Sequence, residues 1–217
     1  MTISVITPTC NRPVGIKYLK EYMARQTVHP DEWIVCNGGD ALNDPEINEI
    51  HDPRPSGAGN LANNISNGLQ ACTGDIILIM EDDDWYAPNH IEVQLKHLAD
   101  CNATGDNTLR YYNLHRRAWR VMRNRGSALC QTAFKREIIG KMTNAVNQAI
   151  RSNSFSIDGL FWQSVPKTVH NEHTVVGIKG IEGTPGLGIG HRPDGNWTQG
   201  SNKLREWIGT DADKYES

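Results

Sequence analysis

Four consecutive carboxylates, Glu81-Asp82-Asp83-Asp84, follow directly on the fully apolar run Ile76 to Met80. Like charges packed side by side repel, so a chain that keeps four of them at the end of a buried strand needs a cation or a shifted proton there. Carboxylate oxygens suit the hard ions Mg²⁺ and Mn²⁺, and an ion held in that way bridges the phosphates of a nucleotide. The plainer alternative is a solvated acidic turn in which Asp84 caps the next helix.

A second constellation is basic. The 30 residues from Asn107 to Arg136 contain eight Lys and Arg and no Asp or Glu, although the whole chain carries a net charge of −3. Arg110, Arg116, Arg117, Arg120, Arg123 and Arg125 alternate there with Tyr111, Tyr112, His115 and Trp119. Cations interleaved with flat side chains suit phosphate contact and base stacking, and so a nucleic-acid partner. In the alternative, one or two of these arginines, with Arg116 and Arg117 the candidates and Trp119 near them in sequence, neutralise a phosphate while the rest are solvated.

The elements that must position these residues alternate. Ile3 to Thr7 reads as a strand stopped by the loop Pro8 to Pro13, and Ile16, Leu19, Tyr22 and Met23 recur at helical spacing through Arg25. Trp33 to Cys36 is a second strand, ended by Asn37-Gly38-Gly39-Asp40, and Gly59 to Cys72 is a helix with one apolar face. Ile76 to Met80 is a third strand and Ile91 to Leu98 another helix. The pattern predicts an α/β fold, a mixed and mostly parallel sheet flanked by helices, in which ligands sit at the carboxyl ends of the strands. The loops Thr7 to Pro13, Asn37 to Asp40 and Glu81 to Trp85 should therefore meet at one crevice. From about residue 109 the chain turns to aromatic and Arg-rich strand-like stretches, a helix near Arg136 to Ala149 and a Gly-rich tail.

A length of 217 residues favours one domain over two, and the composition excludes collagen-like, coiled-coil and disordered classes. The longest strongly apolar run is far short of the roughly 20 residues that span a membrane, and no secretory leader is evident, so a cytoplasmic location is expected. Five scattered cysteines without a C-x-x-C pair indicate reduced thiols rather than a disulfide framework or zinc knuckle. Gly186-x-Gly188-x-Gly190 has neither the spacing nor the setting of a dinucleotide loop.

Four strings together resemble a known family. Val5-Ile6-Thr7-Pro8-Thr9-Cys10-Asn11-Arg12, Trp33 to Asp40, Ala62-Asn63-Asn64 with Gly68, Ala71 and Gly74, and Ile79 to Pro88 follow in order and spacing the family 2 glycosyltransferases of GT-A fold. The resemblance implies a single GT-A-like domain over 1–217, with a nucleotide-sugar and metal-binding half at 1–108 and an acceptor-side half at 109–217. It implies a metal-dependent, inverting transferase that moves a sugar from a nucleotide-sugar donor, a UDP-sugar being favoured, to the hydroxyl of a saccharide or of a hydroxylated nucleic-acid base. Thr7, Pro8, Thr9 and Arg12 would cradle the nucleotide, with Asn64 beside them, and Asp82 would face the ribose. Asp83, supported by Asp84 and completed by His191, would hold Mn²⁺ or Mg²⁺. Where the family has an acidic pair after the second strand, this chain has Cys36 and Asn37, so either Asn37 or Asp40 would meet the base, or the base is not uracil. Asn63 stands where the family often has Arg, and Ile157 where it usually has Glu before the acid, here Asp158. Asp158 would be the base that takes the acceptor's proton; as a plain structural residue it would instead cap the helix ahead of Leu160 and Phe161. Two rival readings share the scaffold: a nucleotidyltransferase that releases pyrophosphate, and a non-catalytic nucleotide- or nucleic-acid-binding protein.

Overall fold

The computed structural model of the chain describes residues 1–183, 186, 191 and 194–216. Strand β1 (Ile3–Thr9) is buried along its whole length. Pro13 opens helix α1 (Pro13–Ala24), its fixed φ suiting a first turn whose N–H has no helical partner. Then come β2 (Glu32–Asn37), the short β3 (Asn48–His51), and α2 (Ala58–Ala71), which buries Ala62, Ile65 and Leu69 at the expected spacing. β4 (Ile76–Ile79) runs into the acidic turn, β5 (Asp84–Tyr86) leaves it, and α3 (His90–Leu98) follows.

The chain continues through β6 (Ala103–Asp106), the hairpin of β7 (Thr108–Asn113) and β8 (Ala118–Arg123), and β9 (Thr132–Lys135). Helix α4 (Ile139–Ser152) begins after a single 3₁₀ turn at Arg136–Ile138 and stops where Asn153 takes the left-handed conformation. α5 (Ile157–Ser164), β10 (Val169–His170), β11 (Val175–Lys179), β12 (Thr198–Gln199), α6 (Lys203–Ile208) and α7 (Asp213–Glu216) complete the described elements.

Two sheets form. The larger has the order β10-β6-β9-β4-β1-β2-β3, with β1, β2, β3 and β4 parallel and β9 antiparallel to both neighbours. The smaller has the order β12-β8-β7-β11-β5. Side chains alternate across the larger sheet. Ile77, Ile79 and Ile6 pack with α2, α4 and α5, whereas Ile76, Leu78 and Val5 face α1, α3 and the smaller sheet. Both faces are covered, which is why β4 is apolar at every position. The two halves expected on either side of residue 108 are interleaved: β9 completes the first sheet beside β4, and β5 forms the edge of the second beside β11. Of the Gly-rich string in the tail, Gly188 and Gly190 lie outside the described residues. Among the described residues no helix is long and apolar enough to cross a membrane.

One packing detail gives the fold a pH dependence. His90 is 1% exposed; its Nδ1 lies 2.8 Å from Thr174 Oγ1 and its ring meets Tyr86 edge-on. Burial pushes its pKa down from 6.5 to about 3. The unfolded chain therefore binds this proton below pH 6.5 while the folded chain does not, so stability falls as pH drops through that window, by about 1.4 kcal/mol per unit. His90→Gln, which keeps a hydrogen bond to Thr174 within reach, should flatten the profile by one proton. Urea melts of both proteins between about pH 6.5 and 5 read the difference, and parallel profiles would exclude it.

Candidate active site

The three loops meet. The Gly38 N–H donates to Thr9 O at 3.0 Å, the Asp40 N–H to Asn11 Oδ1 at 2.7 Å, and the Thr9 hydroxyl to Asp82 Oδ2 at 2.6 Å. Beside them opens a cavity of about 380 Å³. Pro8, Thr9, Cys10 and Arg12 form one wall and Asn60 and Asn64 of α2 the next. The carboxylate run, Leu129, Cys130 and Asp158 also line it, as do Tyr111, Lys179 and His191.

The acidic run is not a solvated turn. Asp82, Asp83 and Asp84 are 2%, 6% and 4% exposed, and each has its own partners. Arg12 Nη1 lies 2.8 Å from Asp82 Oδ1 and 3.8 Å from Asp83 Oδ2. Lys179 Nζ lies 2.7 Å from Asp83 Oδ2 and 3.1 Å from Asp84 Oδ1, and His191 Nε2 is 3.0 Å from Asp83 Oδ2. Burial works against charge at all three aspartates. At Asp83 the cations Lys179 and Arg12, with the His191 hydrogen bond, outweigh it and hold the carboxyl well below its usual range. At Asp82 and Asp84 burial prevails and the pKa rises. Burial, with the Asp84 and Asp83 charges beside it, pushes Glu81 up to about 8. Among the described residues, four acids facing two permanent cations thus leave negative charge to be balanced by protons or by a further cation.

Two close approaches fix this geometry. A Cβ on Gly15 of α1 would come within 2.5 Å of the Asp82 carbonyl oxygen, so the helix can rest on the acidic turn only with glycine there. A Cβ on Gly177 of β11 would enter the Tyr111 ring and lie 3.2 Å from Asp84 Oδ1. Glycine at that point lets β11 run beside β5 and carry Lys179 to the acids.

The donor types fit a hard divalent ion: carboxylate oxygens of Asp83 and Asp84 with the His191 imidazole. Glu81, Asp84 and Cys130 also offer ligand atoms all within 4.8 Å of one another. Burial raises the Cys130 thiol well above its ordinary pKa, and a neutral thiol is a poor ligand for such an ion.

Asp158 sits in the first turn of α5, one residue after Ile157, with Ser156 as the N-cap. Its Oδ1 accepts the Gly159 N–H at 2.8 Å. Burial raises its pKa against the opposing pull of that N–H, which makes the carboxylate a better proton acceptor.

Several expected residues do other work. Thr7 is fully buried and its Oγ1 accepts the Trp33 indole N–H at 2.9 Å; it does not line the cavity. Asn37 spends its amide on its own loop, donating to Asp40 O at 2.6 Å and Glu49 Oε1 at 2.7 Å and accepting the Gly39 N–H at 2.8 Å. Neither Asn37 nor the exposed Asp40 lines the cavity. Asn64 does, donating to Thr9 O at 2.8 Å while its Oδ1 has no partner. Arg116 and Arg117 are exposed in the turn of the β7–β8 hairpin, and Trp119 packs edge-on against Trp207 at 5.9 Å; none of the three joins the cavity lining.

Lys179 escapes the motifs of the sequence, although a signal exists. Val175-Val176-Gly177-Ile178-Lys179 ends an apolar strand on a charge, the pattern that marks Ile76 to Glu81. Tyr111 belongs to the basic island, where its setting suggests only a stacking ring.

The family model described as Glycosyl transferase family 2 matches residues 4–158. A Bacillus subtilis (strain 168) protein described as "Uncharacterized glycosyltransferase YwdF" is 31% identical over 104 residues, which cover 45% of this chain and 38% of that relative. The match therefore spans well under half of the relative's length. Among solved structures, S. aureus TarS is similar with a TM-score of 0.51 and 11% identity, over 82% of this chain and 37% of its own. The 2-C-methyl-D-erythritol 4-phosphate cytidylyltransferase from Thermus thermophilus gives the same TM-score and identity over 79% of this chain and 89% of its own. At such identities the likeness concerns the fold.

Proposed function

We propose that this chain, which belongs to glycosyl transferase family 2 and has a GT-A-like fold, transfers a sugar from a nucleotide-sugar donor to an acceptor hydroxyl. The observation that carries the reading is one cavity lined both by the Asp82–Asp84 carboxylates with their cations and by a separate carboxylate, Asp158. A charged diphosphate needs the first group and a reacting hydroxyl the second.

Pro8, Thr9, Arg12 and Asn64 take the donor side, with Asp82 fixing both the Thr9 hydroxyl and the Arg12 guanidinium in place. Asn37 and Asp40 act there by shaping the second loop. A UDP-sugar is the favoured donor. Asp83 and Asp84 with His191 would hold Mn²⁺ or Mg²⁺, which when bound supplies positive charge at the leaving diphosphate. Asp158 accepts the acceptor hydroxyl's proton as that oxygen bonds to the anomeric carbon and the bond to the diphosphate breaks. In-line attack of this kind inverts the anomeric configuration. The acceptor is a saccharide: among the described residues, the exposed hairpin with Arg116, Arg117 and Trp119 adds no cation to the cavity wall.

The test is release of free UDP from a panel of UDP-sugars, with Mn²⁺ or Mg²⁺ present, in response to saccharides and to an oligonucleotide bearing a hydroxymethylated base. Release that depends on a saccharide supports the reading. Dependence on the oligonucleotide alone would move the acceptor to nucleic acid. Pyrophosphate release from a nucleoside triphosphate, or nucleotide binding with no turnover, would overturn it.

A further inference from the structure

We propose that Lys179 is a resident cation that competes with a divalent ion for Asp83 and Asp84. The inference rests on the carboxylate cluster being the cation site of the proposed transferase.

Lys179 Nζ lies 2.7 Å from Asp83 Oδ2 and 3.1 Å from Asp84 Oδ1, on the two side chains that would share an ion. An ion bound to the same oxygens at about 2.1 Å would fall on or against the ammonium, and two cations cannot occupy that volume. The lysine is also no surface visitor. Its side chain is 8% exposed, it leaves a strand rather than a loop, and its neighbour Ile178 donates its N–H to Asp83 O at 3.1 Å. The Tyr111 ring, with its centroid 5.6 Å from Nζ, flanks it on another side.

Two of its three N–H groups are therefore committed to the acids, and Lys179 still lines the cavity. A four-carbon stem lets it turn from the carboxylates towards a diphosphate without leaving the site. An incoming ion takes the carboxylate oxygens only when the ammonium has somewhere else to go, and the donor's diphosphate provides that place. Without donor, the lysine holds the acids and the ion binds weakly. The consequence is a site whose metal affinity depends on the nucleotide, with Lys179 as the exchanging partner.

The test is Mn²⁺ uptake by the full chain with neither donor nor acceptor present, read as loss of the free-ion electron paramagnetic resonance signal. Glycosyl transfer does not enter this measurement, so its failure and a failed transfer assay are separate results. Wild type should half-saturate only in the millimolar range. Lys179→Met should bind Mn²⁺ at least about tenfold more tightly, since one unit charge has been withdrawn from beside the ion. Lys179→Arg, which keeps the charge, should match wild type. Lys179→Met leaves buried acids short of a cation, so Mn²⁺ should also raise its melting temperature more than that of wild type. Micromolar uptake by wild type, or no gain in Lys179→Met, overturns the proposal. If Lys179→Met does not fold, the wild-type and Lys179→Arg titrations decide, and tight binding by either overturns it.

Discussion

Asp158→Asn is expected to lower kcat by about 10²- to 10⁴-fold while leaving the donor's dissociation constant within roughly twofold of wild type, because general-base catalysis of this kind contributes that range. Asparagine has the same shape, and its Oδ1 can still accept the Gly159 N–H that Asp158 accepts at 2.8 Å. The first turn of α5 should therefore survive the change. What is lost is the proton acceptor, whose affinity for a proton burial has raised. The proposed donor side is built separately, from Arg12 and Thr9, both hydrogen-bonded to Asp82. Single-turnover kinetics with a bound UDP-sugar, alongside a direct titration of UDP, separate the two effects. Near-normal turnover in Asp158→Asn would remove the residue from the mechanism. Lost donor binding with lost turnover would make it a structural member of the cleft.

Arg12→Ala should cost the site much of its stability. Asp82 has no exposed side-chain surface, and its Oδ1 is 2.8 Å from Arg12 Nη1. Removing one partner of a buried ion pair leaves the other charge uncompensated, at about 3–5 kcal/mol. In a domain of this size that corresponds to a fall in melting temperature of roughly 6–20 °C. The double variant Arg12→Ala with Asp82→Asn, compared with each single change, removes both charges and should recover most of the loss, yet it should not recover donor binding, since both groups belong to the proposed donor side. Thermal melts of the four proteins close the cycle. A melting temperature for Arg12→Ala within a degree or two of wild type would show that water already screens the pair.

The parallel core was legible because its signals are local. β-Branched runs marked β1, β2 and β4, and four acids after an apolar strand marked the cleft. The second sheet was not. β5 is three residues, Asp84–Tyr86, too short to show a period, so the same residues read as the tail of a loop. The smaller sheet joins it to β11, nearly 90 residues later, and no spacing rule reaches that far. Lys179 stayed hidden for the same reason: its role comes from a pairing rather than a pattern. The basic island misled in a different way. Composition gathers its residues, but a strand sends neighbours to opposite faces. Tyr111 therefore turns to the cavity while Arg110 lies over the Trp207 ring, 5.5 Å away. Asn37 stands at the position expected to meet the base, but the demand of the loop for donors and acceptors takes up its amide.

The partners of the acidic run come from far along the chain: Thr9 lies 73 residues before Asp82, and Lys179 lies 96 residues after Asp83. During synthesis the amino-terminal strands leave the ribosome long before β11, so for most of that time the acids have Arg12 but not their lysine. The strand pairings that bring β11 to β5 are of the long-range kind that forms late and slowly. A nascent chain ending before residue 179 has the donor loops in sequence but lacks the charge that lets the buried carboxylates stay together. If the cleft holds a nucleotide as proposed, that ability should therefore appear abruptly, as the last act of folding, and not grow in step with chain length.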